Sequence, residues 1–142
     1  MSDADWTVGP ADESPEAEAA RDQPPELAFY SLPEFVEDFF LQVAARHTLS
    51  ENWCPMWWDH EEAVLRLEAL WDAFEALRLE PGTGTAVWIR DFLDPTVSAL
   101  TNPEITPFRR CNVRRNEHLA EEPWPAAPAP DGMFRNYATA ED

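Results

Sequence analysis

The stretch EEAVLRLEALWDAFEALRL, residues 61–79, decides the fold class because its apolar residues recur every three or four positions. This spacing places them on one face of an α-helix and leaves most charged residues on the other face. Glu62 and Arg66 are four positions apart, which suits a helical ion pair. Asp59 and Glu62 resemble a capping box at the start, and residues 81–84, Pro-Gly-Thr-Gly, end the helix. The predicted inward face comprises Val64, Leu67, Leu70, Trp71, Phe74 and Leu77.

A second helical pattern precedes this stretch. Ser31 is a capping residue type, and Pro33 is tolerated in a first helical turn. The apolar residues that follow predict an amphipathic helix of about 14 residues that ends near His47. Its predicted inward residues are Phe35, Val36, Phe39, Phe40 and Val43.

Helical patterns also follow the long helix. Residues 85–93 predict a third helix, and Asp94-Pro95 restarts the chain as a separate short helix that ends near residue 100. Residues 105–111 are expected to be extended and to close over the helices with Phe108. We therefore expect an all-α fold, a small bundle of three to four helices.

Both ends of the chain differ from the middle in composition. Residues 1–26 are acidic, rich in Ala and Pro, and poor in large apolar groups, so we expect a disordered tail. Residues 119–142 are Pro-rich and predict a flexible, extended tail. Residues 27–118 between them form the expected helical domain.

The charge of the chain limits its partners. Asp and Glu number 28 against ten Lys plus Arg, and the net charge is −18. Free nucleic acid is an unlikely partner because phosphate binding relies on positive charge, whereas basic protein partners are favoured. The sequence has neither a signal-peptide pattern nor an apolar stretch of membrane-spanning length, so we expect a cytoplasmic protein.

A series of tryptophan-rich motifs runs through the middle of the chain. It consists of Trp53-Cys54-Pro55, Trp57-Trp58 with His60, the segment 62–71, Trp88 with Arg90-Asp91, Asp94-Pro95, and Pro107-Phe108 with Cys111. Over residues 35–118 this series resembles the actinobacterial family catalogued as domain of unknown function 4913. The resemblance implies a small accessory of a mobile element, such as a plasmid, conjugation or phage system. It supplies no catalytic residue.

Two cysteines and two histidines form a candidate zinc site: Cys54, His60, Cys111 and His118. Thiolate sulfur and imidazole nitrogen are preferred zinc ligands, and a metal there would tie two distant segments together. Each pair is separated by five or six residues, however, which is wider than the two to four residues of a typical zinc knuckle. This spacing favours an alternative, in which Cys54 is a buried small hydrophobe and His60 a polar residue of the first helical turn.

The tryptophans Trp53, Trp57 and Trp58 form a candidate interaction surface, since tryptophan is favoured at binding hot spots. The alternative is that they belong to the core, and at least one of Trp57 and Trp58 is expected to pack inward. The arginines Arg109, Arg110, Arg114 and Arg115 form a basic island in an acidic chain. They suit a phosphate-rich ligand, but we favour pairing with the protein's own negative surface.

The motifs do not predict an enzyme. His60-Glu61-Glu62 lacks the second histidine of a metalloprotease motif, because Val64 stands in its place. With four glycines in all, the chain has no phosphate-binding loop, and no catalytic residue is assigned.

Three functions remain open. The first is a non-enzymatic protein-interaction module of a mobile element, which docks on a protein partner through its aromatic helical bundle and its flexible, Pro-rich tail. That tail ends in a cluster of Met133, Phe134 and Tyr137. The second is an acidic inhibitor that mimics DNA and occupies a nucleic-acid-binding protein. The third is a zinc-stabilised module that contacts nucleic acid through its arginines. Mimicry requires one continuous face formed by Glu34, Glu37, Asp38, Glu61, Glu62, Glu68, Asp72 and Glu75.

Overall fold

The computed structural model describes residues 26–45 and 50–138, and these contain three helices longer than one turn and no β-strand. The helical fold class is therefore confirmed. The disorder predicted for residues 1–26 concerns a segment that lies, except for its last residue, outside the described residues, as do residues 139–142 of the tail. Among the described helices, none has both the length and the apolar character needed to cross a membrane.

Helix α1 spans residues 32–44 and has a widened middle turn. Its segments are α-helical Leu32–Phe35, π-helical Val36–Phe40 and α-helical Leu41–Ala44. The Ser31 side chain accepts a hydrogen bond from the Glu34 N–H, which confirms Ser31 as the cap. The predicted end near His47 lies outside the described residues.

Helix α2, Glu61–Leu77, confirms the main prediction from the sequence. Ala63, Leu67 and Leu70 are fully buried along one face. Glu62 and Arg66 form the expected ion pair at 2.9 Å. The predicted capping box is wrong.

The residue at the cap position of α2 is His60, in extended conformation, and it makes no side-chain capping hydrogen bond. Asp59 belongs to the preceding 3-10 turn, Trp57–Asp59. Its carboxylate is turned away from the helix and toward His118. The alternative to a zinc site is right in part: Cys54 is buried, as it expected, but His60 lies just before the first helical turn and its ring is buried as well.

Helix α3 spans residues 84–101 without the predicted break at Asp94-Pro95. Its segments are α-helical Gly84–Trp88, π-helical Ile89–Leu93 and α-helical Asp94–Thr101. Pro95 lacks an N–H, and it falls just after the π turn, where the regular hydrogen-bond ladder is already shifted. The chain therefore passes the proline without leaving the helix.

The start of α3 approaches the end of α2 closely. Gly84 is buried there, and a Cβ at this position would overlap the carbonyl oxygen of Leu77 and lie 2.8 Å from the Cβ of Glu80. Only glycine fits this junction without a shift of the backbone. The tight turn is what returns α3 along α2.

An aromatic cluster joins the three helices. Phe39 of α1 and Trp88 of α3 both pack against Phe74 of α2, each with ring centroids 5.0 Å apart. The indole N–H of Trp88 donates a buried hydrogen bond of 3.1 Å to the carbonyl of Leu70. Burying each large apolar side chain contributes about 1.5–3 kcal/mol, so this cluster is a major source of stability.

Glu75 attaches the segment before α1 to α2. Its carboxylate accepts hydrogen bonds from the backbone N–H groups of Ala28 and Phe29, at 2.8 and 3.0 Å, and from the side chains of Trp71 and Arg78, both at 2.9 Å. Burial alone would raise the pKa of Glu75, but these donors together hold it below its ordinary value. Glu75 is thus a structural residue and does not belong to an exposed acidic face.

The segment after α3 was expected to be extended, and this prediction is wrong, because turns follow one another from Pro103 to Arg110. The Thr106 hydroxyl donates to the carbonyl of Leu100 and accepts from the N–H of Phe108. These bonds fold the chain back so that Phe108 is buried over the helices, as predicted.

Candidate metal centre

Two segments of the chain, residues 54–60 and 111–118, bring the predicted ligands together. Cys54 lies in the loop before the 3-10 turn Trp57–Asp59, and His60 follows that turn at the start of α2. Cys111 ends the turns after α3. His118 follows the 3-10 turn Val113–Arg115.

The ligand atoms of Cys54, His60, Cys111 and His118 all lie within 4.8 Å of one another. Cys54 Sγ is 3.2 Å from His118 Nδ1, and Cys111 Sγ is 3.5 Å from both His60 Nε2 and His118 Nδ1. Tetrahedral zinc with bonds of about 2.0–2.3 Å holds its ligand atoms roughly 3.3–3.8 Å apart. The arrangement therefore fits a four-coordinate zinc ion with little movement.

The wide spacing within each pair is accommodated by the local backbone. Between Cys54 and His60 the chain makes one 3-10 turn. Between Cys111 and His118 it makes a tight loop, in which Asn112 and Glu117 exchange backbone hydrogen bonds of 2.8 and 2.9 Å. The site thus consists of two loops facing each other, and the spacing of a zinc knuckle does not apply to it.

Outer contacts orient the histidines. His118 Nε2 lies 2.7 Å from Oδ2 of Asp59, so the ring proton belongs on Nε2 and the Nδ1 lone pair faces the sulfur atoms. Phe108 packs edge-on against the ring of His60, with centroids 4.9 Å apart. The remaining ring nitrogen of His60, Nδ1, is buried without a hydrogen bond of ordinary geometry, although the Pro107 carbonyl lies near enough to favour a proton there.

One backbone N–H group is directed at each of the two sulfur atoms. The N–H of Leu119 donates to Cys111 Sγ at 3.5 Å. The N–H of Met56 is directed at the Cys54 sulfur and lowers its pKa. Such donors stabilise a thiolate, which is the form that binds a metal.

Burial disfavours the charged forms of the cysteine and histidine side chains in this site. Burial, which the Met56 N–H opposes and the neighbouring Cys111 thiol reinforces, raises the pKa of Cys54 to about 11. Burial also lowers the pKa of His60, and repulsion by His118 acts in the same direction. Two thiolates are stable at such a place when a divalent cation balances them.

The other predicted site residues are dispersed. Trp57 is buried, Trp53 packs between Phe40 and Phe108, and Trp58 is 58 % exposed. One tryptophan of the pair at 57–58 therefore packs inward, as expected. The three tryptophans do not share one exposed surface.

The arginine island is divided between internal pairs and solvent. Arg109 pairs with Glu121 at 3.2 Å, and Arg114 pairs with Glu51 at 3.0 Å. Arg110 and Arg115 are exposed. Half of the island thus contacts the protein's own acidic residues.

The contact between Asp59 and His118 was not predicted from the sequence, whereas the aromatic end of the tail was expected to take part in docking. Asp59 was assigned to a helix cap, and no local pattern links it to His118, which is 59 positions away. The tail beyond the site carries the most exposed large apolar side chains of the described residues, and their spacing is irregular. They are Trp124, Phe134 and Tyr137, at 93, 74 and 76 % exposure.

Fold and site together define a small helical domain with a four-residue cluster of metal-ligand type. The chain belongs to the family described as Domain of unknown function (DUF4913), whose model matches residues 29–130. The matched segment includes all four residues of the cluster, and the match confirms the resemblance stated from the motifs. No curated protein and no solved structure matches the chain.

Proposed function

We propose that the chain is a zinc-stabilised, non-enzymatic interaction domain. The observation that carries this proposal is the cluster itself, in which the ligand atoms of two cysteines and two histidines lie within 4.8 Å of one another. Four protein ligands complete the tetrahedral shell of zinc and leave no open position for substrate or water. Such a site has a structural role.

A structural metal suits the way this domain is assembled. His60 lies immediately before α2, whereas Cys111 and His118 belong to the segment that follows α3. Apart from Phe108, that segment contributes no fully buried large side chain. Because a small domain has a modest margin of stability, zinc would fix this segment where packing alone is weak.

The interaction role rests on the tail. Pro-rich segments favour an extended conformation that docks into aromatic-lined grooves. Residues 119–138 contain no helix, and among them Trp124, Met133, Phe134 and Tyr137 are exposed. We propose that this segment binds an apolar groove on a protein partner, in the cytoplasm and within a mobile-element system.

Zinc content tests the metal part of the proposal. Untagged protein purified without chelators should contain about one equivalent of zinc per chain. The variants Cys111→Ser and His118→Ala should lose the zinc. The variant His47→Ala, which changes the one histidine outside the cluster, should retain it. Less than about a tenth of an equivalent in wild-type protein, with no uptake of added zinc, would refute the site.

DNA mimicry is the second candidate, and one observation favours it. Glu61, Glu68 and Asp72 are exposed and lie on one side of α2, because their spacing of seven and four residues returns to the same helical face. The structural role of Glu75 removes one residue from the predicted acidic face. A charge-reversed triple variant that still inhibits or binds a DNA-binding protein would exclude mimicry.

The zinc-dependent nucleic-acid module has less support. Two of its four arginines are paired with the chain's own glutamates. Each paired arginine would have to exchange an existing carboxylate for a phosphate.

A further inference from the structure

The two cysteines of the cluster differ in access to solvent. Cys54 is 2 % exposed, whereas Cys111 is only partly buried. Cys111 also borders an open cleft of about 260 Å³, whose other lining residues are Glu51, Asn52, Asn112 and Arg114. Cys54 also borders a cavity, but this one is smaller, about 80 Å³, and Cys54 itself is almost fully buried, so a small polar oxidant reaches the sulfur of Cys111 first.

The sulfur atoms are close enough to bond to each other after small movements. They lie within 4.8 Å of one another, and a disulfide requires about 2.05 Å. Both cysteines lie outside the three helices, in loop and turn segments. Closing the gap therefore requires no helix to move.

We propose that this cysteine pair is a peroxide-sensitive modification site, in which Cys111 is oxidised first, Cys54 resolves it as a disulfide, and zinc is released. The inference rests on the proposed zinc site and adds its regulation. The oxidant is a hydroperoxide, and hydrogen peroxide serves as the probe.

The oxidation of the cysteine pair takes place in two steps. The Cys111 thiolate attacks one peroxide oxygen, so that an S–O bond forms, the O–O bond breaks, and the leaving hydroxide takes a proton to become water. The Cys54 thiolate then attacks the Cys111 sulfur, so that the S–S bond forms, the S–O bond breaks, and a second hydroxide leaves as water. The two sulfurs supply two electrons to the peroxide, and Zn²⁺ departs with its charge unchanged.

Oxidation and zinc release weaken the attachment of the segment after Cys111. A disulfide still joins Cys111 to Cys54, but without zinc His118 loses its metal bond and keeps its contact with Asp59 and its edge-on contact with the His60 ring. The other links from this segment to the domain include the exposed ion pairs of Arg109 and Arg114, which contribute little. Oxidation thus loosens the attachment of the tail that we propose to bind the partner.

The test uses the full-length zinc-loaded protein. Hydrogen peroxide should release one zinc per chain, measured with a chromogenic chelator, in step with the loss of two free thiols. Peptide mass spectrometry should find a Cys54–Cys111 disulfide, and trapping with dimedone should label Cys111 and leave Cys54 unlabelled. Dithiothreitol with added zinc should restore the starting state.

Proteolysis provides a readout of the tail. Because the chain contains no lysine, trypsin can cleave only after arginine. Cleavage after Arg114 and Arg115 should accelerate by about tenfold or more on oxidation, because proteolysis follows the population of the opened segment, whereas cleavage after Arg66 within α2 should not change.

The outcomes separate the two proposals. Protein that binds no zinc before oxidation refutes the zinc site. Protein that binds zinc but retains it in peroxide, yields sulfinic acid in place of the disulfide, or is trapped first at Cys54 overturns the redox inference and leaves the zinc site intact.

Discussion

The carboxylate of Asp59 lies 2.7 Å from Nε2 of His118, and this contact joins the start of α2 to the last residue of the candidate metal centre. With Nε2 bound in this way, Nδ1 faces the sulfurs of Cys54 and Cys111. A carboxylate behind a ligand histidine fixes its tautomer and increases its basicity. Asp59 is therefore a positioning residue for the site.

Replacing Asp59 by alanine should weaken zinc binding by roughly 10–100-fold, since His118 would lose the partner that orients its ring. Competition with a chelator of known affinity measures the change. Glu61→Ala is the matched control, because this exposed carboxylate lies two residues further on. Equal zinc affinity in the two variants would contradict the role assigned to Asp59.

Replacing Glu75 by glutamine should destabilise the domain by about 1–3 kcal/mol at neutral pH, because four N–H donors, three of them in partly buried bonds, would lose a charged acceptor. Urea unfolding of this variant, with the exposed Glu68→Gln as control, measures the difference.

The same comparison should depend on pH. Because the pKa of Glu75 is lowered in the folded state, its contribution is fully present above the unfolded-state pKa of about 4.3 and is lost as pH falls through the lower folded value. The gap between wild type and Glu75→Gln should therefore narrow only in acid. A gap that grows in acid would show that the carboxylate is not the stabilising form.

Replacing Gly84 by alanine should cost about 2 kcal/mol or more, since the added Cβ would overlap the carbonyl oxygen of Leu77. Thermal unfolding of this variant is compared with that of Thr85→Ala, an exposed neighbour in the same helix. If both variants unfold at the same temperature, the close approach of α2 and α3 is not essential.

Replacing Trp124 by alanine should leave the free energy of unfolding unchanged within about 0.5 kcal/mol, because the side chain is 93 % exposed. Binding to the protein partner should weaken by about 2 kcal/mol or more, as for a tryptophan hot spot. Ile105→Ala, at an exposed apolar residue outside the tail, is the control.

Partner capture from an actinobacterial lysate, followed by titration with purified partner, measures the loss of binding. Deletion of residues 123–142 should have at least the effect of Trp124→Ala. If the deleted and full-length proteins bind equally, the tail has no part in the interaction.

Local patterns in the sequence were sufficient for the start of α1 and for α2. The period of the apolar residues predicted α2 almost to its ends, and Ser31 correctly marked the start of α1. The break expected at Pro95 and the extended segment after residue 104 were both wrong. The π turn before Pro95 keeps α3 continuous, and the hydrogen bond from the Thr106 side chain folds the following segment into turns. Neither feature produces a periodic pattern of apolar residues in the sequence.

The sequence by itself determined the helical class, the acidic surface and the identity of four residues with zinc-binding chemistry, because residue type and period carry that information. Only the tertiary structure decided that these residues converge, since the loops at 54–60 and 111–118 are distant in the chain. The tertiary structure also decided that Asp59 contacts His118 and that the Glu75 carboxylate accepts hydrogen bonds from the N–H groups of Ala28 and Phe29. Such contacts depend on how the helices pack, and no spacing within one segment encodes them.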